Sequence, residues 1–375
     1  MTLMRLCKGC GTIVALQQCR FRPFSFMHRH PLSRRNFGAL SALSAVAACA
    51  PAGWAQPARP APGRITIAVG GQGVLYHLPL TIADRLGFFQ AEGLDVTVQD
   101  YAGGALALQA TQAGAAQVCS GAYEHTLRQH ARGHDYRAFV LQGRAPQQAL
   151  GVSMRAMPGY RRPGDLKGRR IGVSAPGSST EVMARMLLAR AGVNPREVSF
   201  VGVGSGAAAL AALRAGRVHA LCHADPVMAL LEQKGEVRIV GDLRTLHAAQ
   251  DLFGGAMPAS CLYAPQAFLQ KEPLAAQALA NGIVHALKWL QTAAPADLVK
   301  AVPSSYLLGD RAVYLAAFNR VRETFSPHGL MPDDGPATAL RALAEIHPEM
   351  AGPRTGLSRT FTNDLARKAR LKFGV

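Results

Sequence analysis

Part of this chain occurs twice. Gly103-Gly104-Ala105-Leu106-Ala107-Leu108-Gln109-Ala110-Thr111-Gln112-Ala113-Gly114 returns in kind as Ser205-Gly206-Ala207-Ala208-Ala209-Leu210-Ala211-Ala212-Leu213-Arg214-Ala215-Gly216, at a constant offset of 102 residues. Each copy follows a short apolar run, Val96-Thr97-Val98 or Val198-Ser199-Phe200-Val201, and precedes another, Gln117-Val118-Cys119 or His219-Ala220-Leu221. Each therefore reads as strand, Gly-rich turn, helix, strand. The period is too long for a solenoid. It suits two similar α/β lobes with a cleft between them. Ala-rich helices resemble one another by chance; the matching flanking strands argue against coincidence here.

The first 55 residues read as an address rather than a fold. They hold no Asp or Glu and seven Lys or Arg. Ser33-Arg34-Arg35-Asn36-Phe37 resembles the twin-arginine export signal, and an apolar small-residue run follows from Gly38 to Ala48. That run is too short for a membrane span, which needs about 20 residues. Gly53-Trp54-Ala55 suits a signal peptidase. A competing reading takes Val46-Ala47-Ala48-Cys49 as a lipobox with Cys49 acylated. Either form faces the periplasm. Cys7-Lys8-Gly9-Cys10, with Cys19 nearby, is an incomplete zinc site. The expectation is that translation starts at Met27 and that residues 1–26 are an over-extended start. Residues 56–63 read as a linker.

Beyond residue 55 remain 34 Lys and Arg against 23 acids. The basic residues are scattered with no aromatic-interleaved stripe, so they read as a solvated surface and not as a nucleic-acid face. Three Cys remain, Cys119, Cys222 and Cys261, an odd number that suggests no disulfide framework. No metal motif, G-x-S-x-G elbow or dinucleotide fingerprint occurs, so no cofactor and no catalysis are implied.

Arg64 to Gly70 reads as a strand, Leu78 to about Gln90 as a helix, and Leu94 to Tyr101 as the next strand. A helix over Tyr123–Arg132, strands over 137–141, 149–154 and 170–174, and a helix over 179–191 follow. Asp225-Pro226 opens a helix through Leu231, a strand spans 237–240, and 261–263 crosses back. The remainder is helical, over 275–292, 310–325 and 337–346. This order argues for mostly parallel sheets, with ligands beyond the carboxyl ends of the strands.

Candidate ligand residues follow. Ser178, Ser179 and Thr180, after Pro176-Gly177, open a helix whose free N–H groups suit sulfonate, phosphate or carboxylate; they also read as plain caps. Ser205, between Gly204 and Gly206, makes a second such end, and Gly103-Gly104 a third. Tyr123 falls at the repeat position of Asp225, so the two are expected to line the cleft from opposite sides. Glu124 either accepts from a solute N–H or favours its own helix dipole. Asp225 also reads as a cap, and His77 as a structural histidine.

Leu80-Thr81-Ile82-Ala83-Asp84-Arg85-Leu86-Gly87-Phe88-Phe89-Gln90-Ala91-Glu92-Gly93-Leu94-Asp95-Val96 resembles the "helix, G-F-F, E-G-L-D-V" signature of nitrate/sulfonate/taurine substrate-binding proteins of ABC importers. Asp165 to Val173, Gly177-Ser178-Ser179, Leu213 to Val218 and Asp225-Pro226 match that family's second lobe. The resemblance covers roughly residues 64–265. It implies an α/β, two-lobed periplasmic-binding-protein fold (type II), with two mostly parallel sheets, a hinge and a helical C-terminal part. Lobe 1 is expected over 64–148 and 262–375, and lobe 2 over 149–261. It implies a monomeric, non-catalytic component that closes around a small solute and delivers it to an ABC permease and its ATPase in the inner membrane. The fold is shared by pyrimidine-precursor binders and by a pyrimidine-synthesising enzyme, whose cysteine-rich iron motif is absent here. That enzyme, or a ligand-sensing subunit of a membrane receptor, is the alternative. Tyr123-Glu124-His125 stands where family members often carry small residues. It shifts the expected solute from simple inorganic anions to a small organic anion or an aromatic or nitrogen-bearing molecule.

Overall fold

The computed structural model describes residues 63–351 and 356–375. The export signal, Cys49 and the Cys7, Cys10 and Cys19 group lie outside those residues, as does most of the linker. Ten strands form two five-stranded sheets: β1 (Ile65–Gly70), β2 (Val96–Tyr101), β3 (Val118–Ala122), β4 (Tyr136–Leu141), β5 (Gln148–Ser153), β6 (Arg170–Val173), β7 (Ser199–Gly202), β8 (Ala220–Ala224), β9 (Val237–Asp242) and β10 (Ser260–Pro265). The first sheet runs β2-β1-β3-β10-β4 and the second β7-β6-β8-β5-β9. In each, three strands pair in parallel, and one strand, β10 or β5, runs against its two neighbours.

The internal repeat maps onto this shared order. β3 and β8 are offset by the repeat's own period. So are the helices that precede them, α3 (Gly104–Gln112) and α6 (Ala207–Arg214), to within a residue. The central strands β3 and β8 are buried throughout, as expected for strands covered on both faces, whereas the edge strand β2 alternates with one face exposed.

Helices cover both sheets: α1 (Leu78–Arg85), α2 (Phe88–Ala91), α4 (Glu124–Ala131), α5 (Ser179–Arg190), α7 (Val227–Gln233), α8 (Leu246–Phe253) and α9 (Gln266–Lys271). The C-terminal part adds α10 (Pro273–Thr292), α11 (Pro295–Ala301), α12 (Arg311–Val321), α13 (Gly335–Ile346) and α14 (Asp364–Phe373). The single helix expected over 78–90 is two. Gly87 adopts φ 72°, a left-handed conformation that ends α1 and redirects the chain into α2.

Residues 142–147 carry the chain from the first sheet to the second, and residues 254–259 carry it back. α12 packs on α7, and α13 packs on both α4 and α5, so the C-terminal helices brace both halves. Arg244, 1% exposed, binds Asp242 at 2.6 Å, Glu232 at 3.0 Å and Asp225 at 3.4 Å. Cys119, Cys222 and Cys261 are free, buried thiols. Among the described residues no helix is long and apolar enough to cross a membrane.

Candidate functional site

The carboxyl ends of β1, β3, β6 and β8 face one another across the gap between the sheets. A cavity lies there, lined from the first sheet's side by Gly70, Tyr76, His77, Gly104 and His125, and from the second's by Gln148, Ser174, Ser179, Thr180, Ser205 and His223. Its walls nearly meet, leaving about 30 Å³, room for a water or two. A smaller recess opens beside it, where Glu124 joins Tyr76, Gln148 and Ser179.

The walls touch directly. Ala105 N–H donates to Ser178 Oγ at 2.9 Å, Arg128 Nη1 donates to the Gly177 carbonyl at 2.8 Å, and Ser205 Oγ donates to the Ala102 carbonyl at 3.3 Å. Leu75 N–H donates to the Asp225 carbonyl at 2.8 Å. Gly103 fits because it has no side chain: a Cβ there would lie 2.8 Å from the Ala175 Cβ and 2.9 Å from its backbone nitrogen.

Burial dominates the electrostatics. It pushes the His77 and His125 imidazoles down to about 3, so both are neutral near pH 7. His77 Nδ1 pairs with Ser120 Oγ at 3.3 Å, and His125 Nδ1 with the Tyr263 hydroxyl at 2.9 Å. Burial likewise lowers the His223 imidazole; its Nδ1 and Nε2 face the Ala224 and Gly204 carbonyls. Burial raises the Glu124 carboxyl to about 7, against the pull of its own backbone N–H and of Arg128. The Tyr76 hydroxyl rises well above its ordinary value through burial and the Glu124 charge.

Three buried polar atoms around these spaces have no partner among the described residues: Glu124 Oε1, His125 Nε2 and Gln148 Oε1. Gln148 Nε2 donates to Ser179 Oγ at 3.0 Å, which turns its Oε1 away. Among the described residues no Lys or Arg lines the cavity. An unpaired buried acceptor costs about 1–3 kcal/mol. The arrangement is suited to a small polar molecule that donates hydrogen bonds.

The family model described as NMT1/THI5 like matches residues 74–295, more than half of the chain. The chain belongs to that family. None of the curated proteins is a significant match. A solved structure from Bordetella bronchiseptica RB50 is 51% identical, covering 83% of this chain and 98% of its own, with a TM-score of 0.82. The alkanesulfonate-binding protein SsuA from Xanthomonas axonopodis pv. citri, solved bound to MOPS, is 17% identical, with 81% of this chain and 100% of its own covered and a TM-score of 0.62. The periplasmic nitrate-binding protein NrtA from Synechocystis PCC 6803 is 14% identical, with 83% and 89% covered and a TM-score of 0.64. At those identities SsuA and NrtA establish the fold alone.

In this NMT1/THI5-like chain the residues expected at the cleft divide into three sets. His77, Gly104, Ser179, Thr180 and Ser205 line the cavity, and Glu124 lines the adjoining recess. Gly103 and Ser178 instead hold wall to wall, and Ser178 accepts a bond from the opposite side. Tyr123 does not line the cavity. Its hydroxyl turns into the first half to meet Thr360 Oγ1 at 2.6 Å. Asp225 does not line it either, because Arg244 and the Ala229 N–H draw its Oδ1 into the second half. Tyr76, beside His77 before α1, lines the cavity as the sequence allowed, whereas His223, Gln148 and Ser174 are polar lining residues that sequence reasoning missed. The repeat offset could have found His223, which stands 102 residues after the cavity-lining Gly121.

Proposed function

We propose that this protein is a periplasmic, non-catalytic solute-binding component of an ABC importer. It would capture a small solute between its lobes and hand it to a membrane permease served by an ATPase. The carrying observation is the cavity built from the carboxyl ends of strands of both sheets, the usual ligand position in α/β proteins. The fold shared with the alkanesulfonate- and nitrate-binding proteins supports the same reading. Lobe 1 would comprise 64–148 and 262–375, lobe 2 149–261, with export through the Arg34-Arg35 signal, anchoring through Cys49 as the variant form, and action as a monomer.

The solute we favour is organic and nitrogen-bearing, admitted only when the two walls part beyond the near-contact seen here, with N–H donors for Glu124 Oε1 and Gln148 Oε1. Neutral imidazoles and the lack of Lys or Arg in the lining disfavour nitrate and other bare anions. The N-terminus of α5, with Ser179 and Thr180, is left to receive a carboxylate or sulfonate carried by the same molecule. A thermal-shift screen of amino-heterocycles, aromatic acids, sulfonates and nitrate tests this. A solute at a hundred times its Kd adds about 2.7 kcal/mol of stability. Stabilisation by nitrate alone, or turnover of the bound solute to a new product, overturns the reading.

A further inference from the structure

Away from the cleft, a groove of about 530 Å³ lies beside the segment that carries the chain from the first sheet to the second. Its floor is apolar: Leu287 and Leu290 of α10, each 1% exposed, and Phe325 at 7%. Three guanidinium groups, Arg144, Arg320 and Arg322, line it against a single carboxylate, Glu323. Arg320 Nη1 is paired with Glu232 at 2.8 Å. Arg144 and Arg322 bind only neutral groups, Nη2 of each donating to a backbone carbonyl: Arg144 to Glu323 at 2.7 Å, Arg322 to Gln291 at 2.6 Å. Neither has a carboxylate partner among the described residues. The Arg144 Nε–H is buried with no acceptor. The Arg144 charge also reaches His328, whose imidazole is lowered first by burial and then by Arg370 and Arg144. Glu323 Oε1 is already occupied, accepting from the Leu246 N–H at 3.3 Å.

We propose that this groove is a second binding site, distinct from the cleft, for a small organic anion with an apolar body. A carboxylate would take the Arg144 and Arg322 guanidinium groups through the N–H donors they turn to the groove. A short hydrocarbon chain or ring would lie along the floor beside Leu287, Leu290 and Phe325. The volume lies within the usual range for small-molecule sites. Guanidinium is the side chain suited to binding a carboxylate through paired N–H groups.

Hexanoate is the probe, with hexanol and hexylamine as controls of equal length and different charge. Methyl-labelled protein reports Leu287 and Leu290 by NMR, and titrations are run on wild type, Arg322→Gln, Arg144→Gln and Ser179→Ala. Saturable shifts at the two leucines are expected with hexanoate only. Arg322→Gln should weaken them about tenfold, the worth of one charge-assisted hydrogen bond. Ser179→Ala, in the cleft, should leave them unchanged. Arg144→Gln should act like Arg322→Gln. Should its removal of the bond to Glu323 unfold the protein, Arg322→Gln alone decides. No saturable shift, an equal response to hexanol, or undiminished affinity in a folded Arg322→Gln protein overturns the site. So does loss of the shifts in Ser179→Ala, which would place hexanoate in the cleft.

Discussion

Glu124 ties one carboxyl to the stability of the whole protein. Its acidity is set by burial: the group ionises at about 7 when folded and near 4.3 when unfolded. A carboxyl with a raised folded value binds more protons in the native state. Its destabilising effect is therefore absent below the unfolded value, grows as pH rises between about 4.3 and 7, and is complete above that. Glu124→Gln removes this dependence. Urea unfolding at pH 4 and pH 8 should show the variant gaining on wild type by about 3–4 kcal/mol at the higher pH. A gap that does not change with pH would mean that Glu124 finds a partner or solvent. Arg244 presents the opposite case. Asp225 is 0% exposed, and among the described residues Arg244 is its one cationic hydrogen-bond partner, with the Arg320 charge acting from farther off. Arg244→Met would leave that carboxylate buried and uncompensated, and should cost about 3–5 kcal/mol in denaturant unfolding. A loss under about 1 kcal/mol would show that Asp225 takes up a proton instead.

At the scale of elements, α5 has its first residues committed in two directions. Ser178 stands at its N-cap but makes no capping bond there; its hydroxyl accepts from Ala105 across the gap. Ser178→Ala should therefore spare helix stability and weaken closure by about 1 kcal/mol, roughly fivefold in the closed population. Unfolding measurements should stay within error while solute affinity falls. A drop in unfolding stability with unaltered affinity would make Ser178 an ordinary cap. The repeat made β3, α3, β8 and α6 legible in the sequence, because identical spacing in two apolar patterns is a strong constraint. α14 was not legible: its buried residues are Ala366 and Ala369, flanked by the half-buried Leu365 and Phe373, on a short helix that also carries five charged residues. Tyr123 and Asp225 stand at the strand ends, but neither side chain reaches the cavity; Asp225 instead accepts from the Ala229 N–H of α7, in keeping with the capping reading given above. Where a side chain turns there depends on distant groups, Thr360 for one and Arg244 for the other, that periodicity does not reveal. Ser179, Thr180 and Ser205 were legible because Gly-flanked hydroxyls at a helix start carry their own local geometry.

For the whole molecule, the matched strand orders make two similar halves joined by two short crossings and braced by α12 and α13. Two such halves can rotate as units about the crossings. We expect small-angle scattering to show a more compact particle once a stabilising solute is bound. An unaltered profile at saturation would exclude hinge closure as the capture step.

The near-contact at Gly103 gives that motion a handle. Its backbone is extended, at φ −172°, so any residue can stand there without strain. A Cβ there would first meet the opposite wall, at Ala175 and Ser174. Gly103→Leu should then act as a doorstop: each half folds, the cavity lining is chemically intact, and the two walls never seat. Such a protein separates recognition from enclosure. The affinity it retains is what one wall supplies alone, and the affinity it loses is what the second wall adds by arriving.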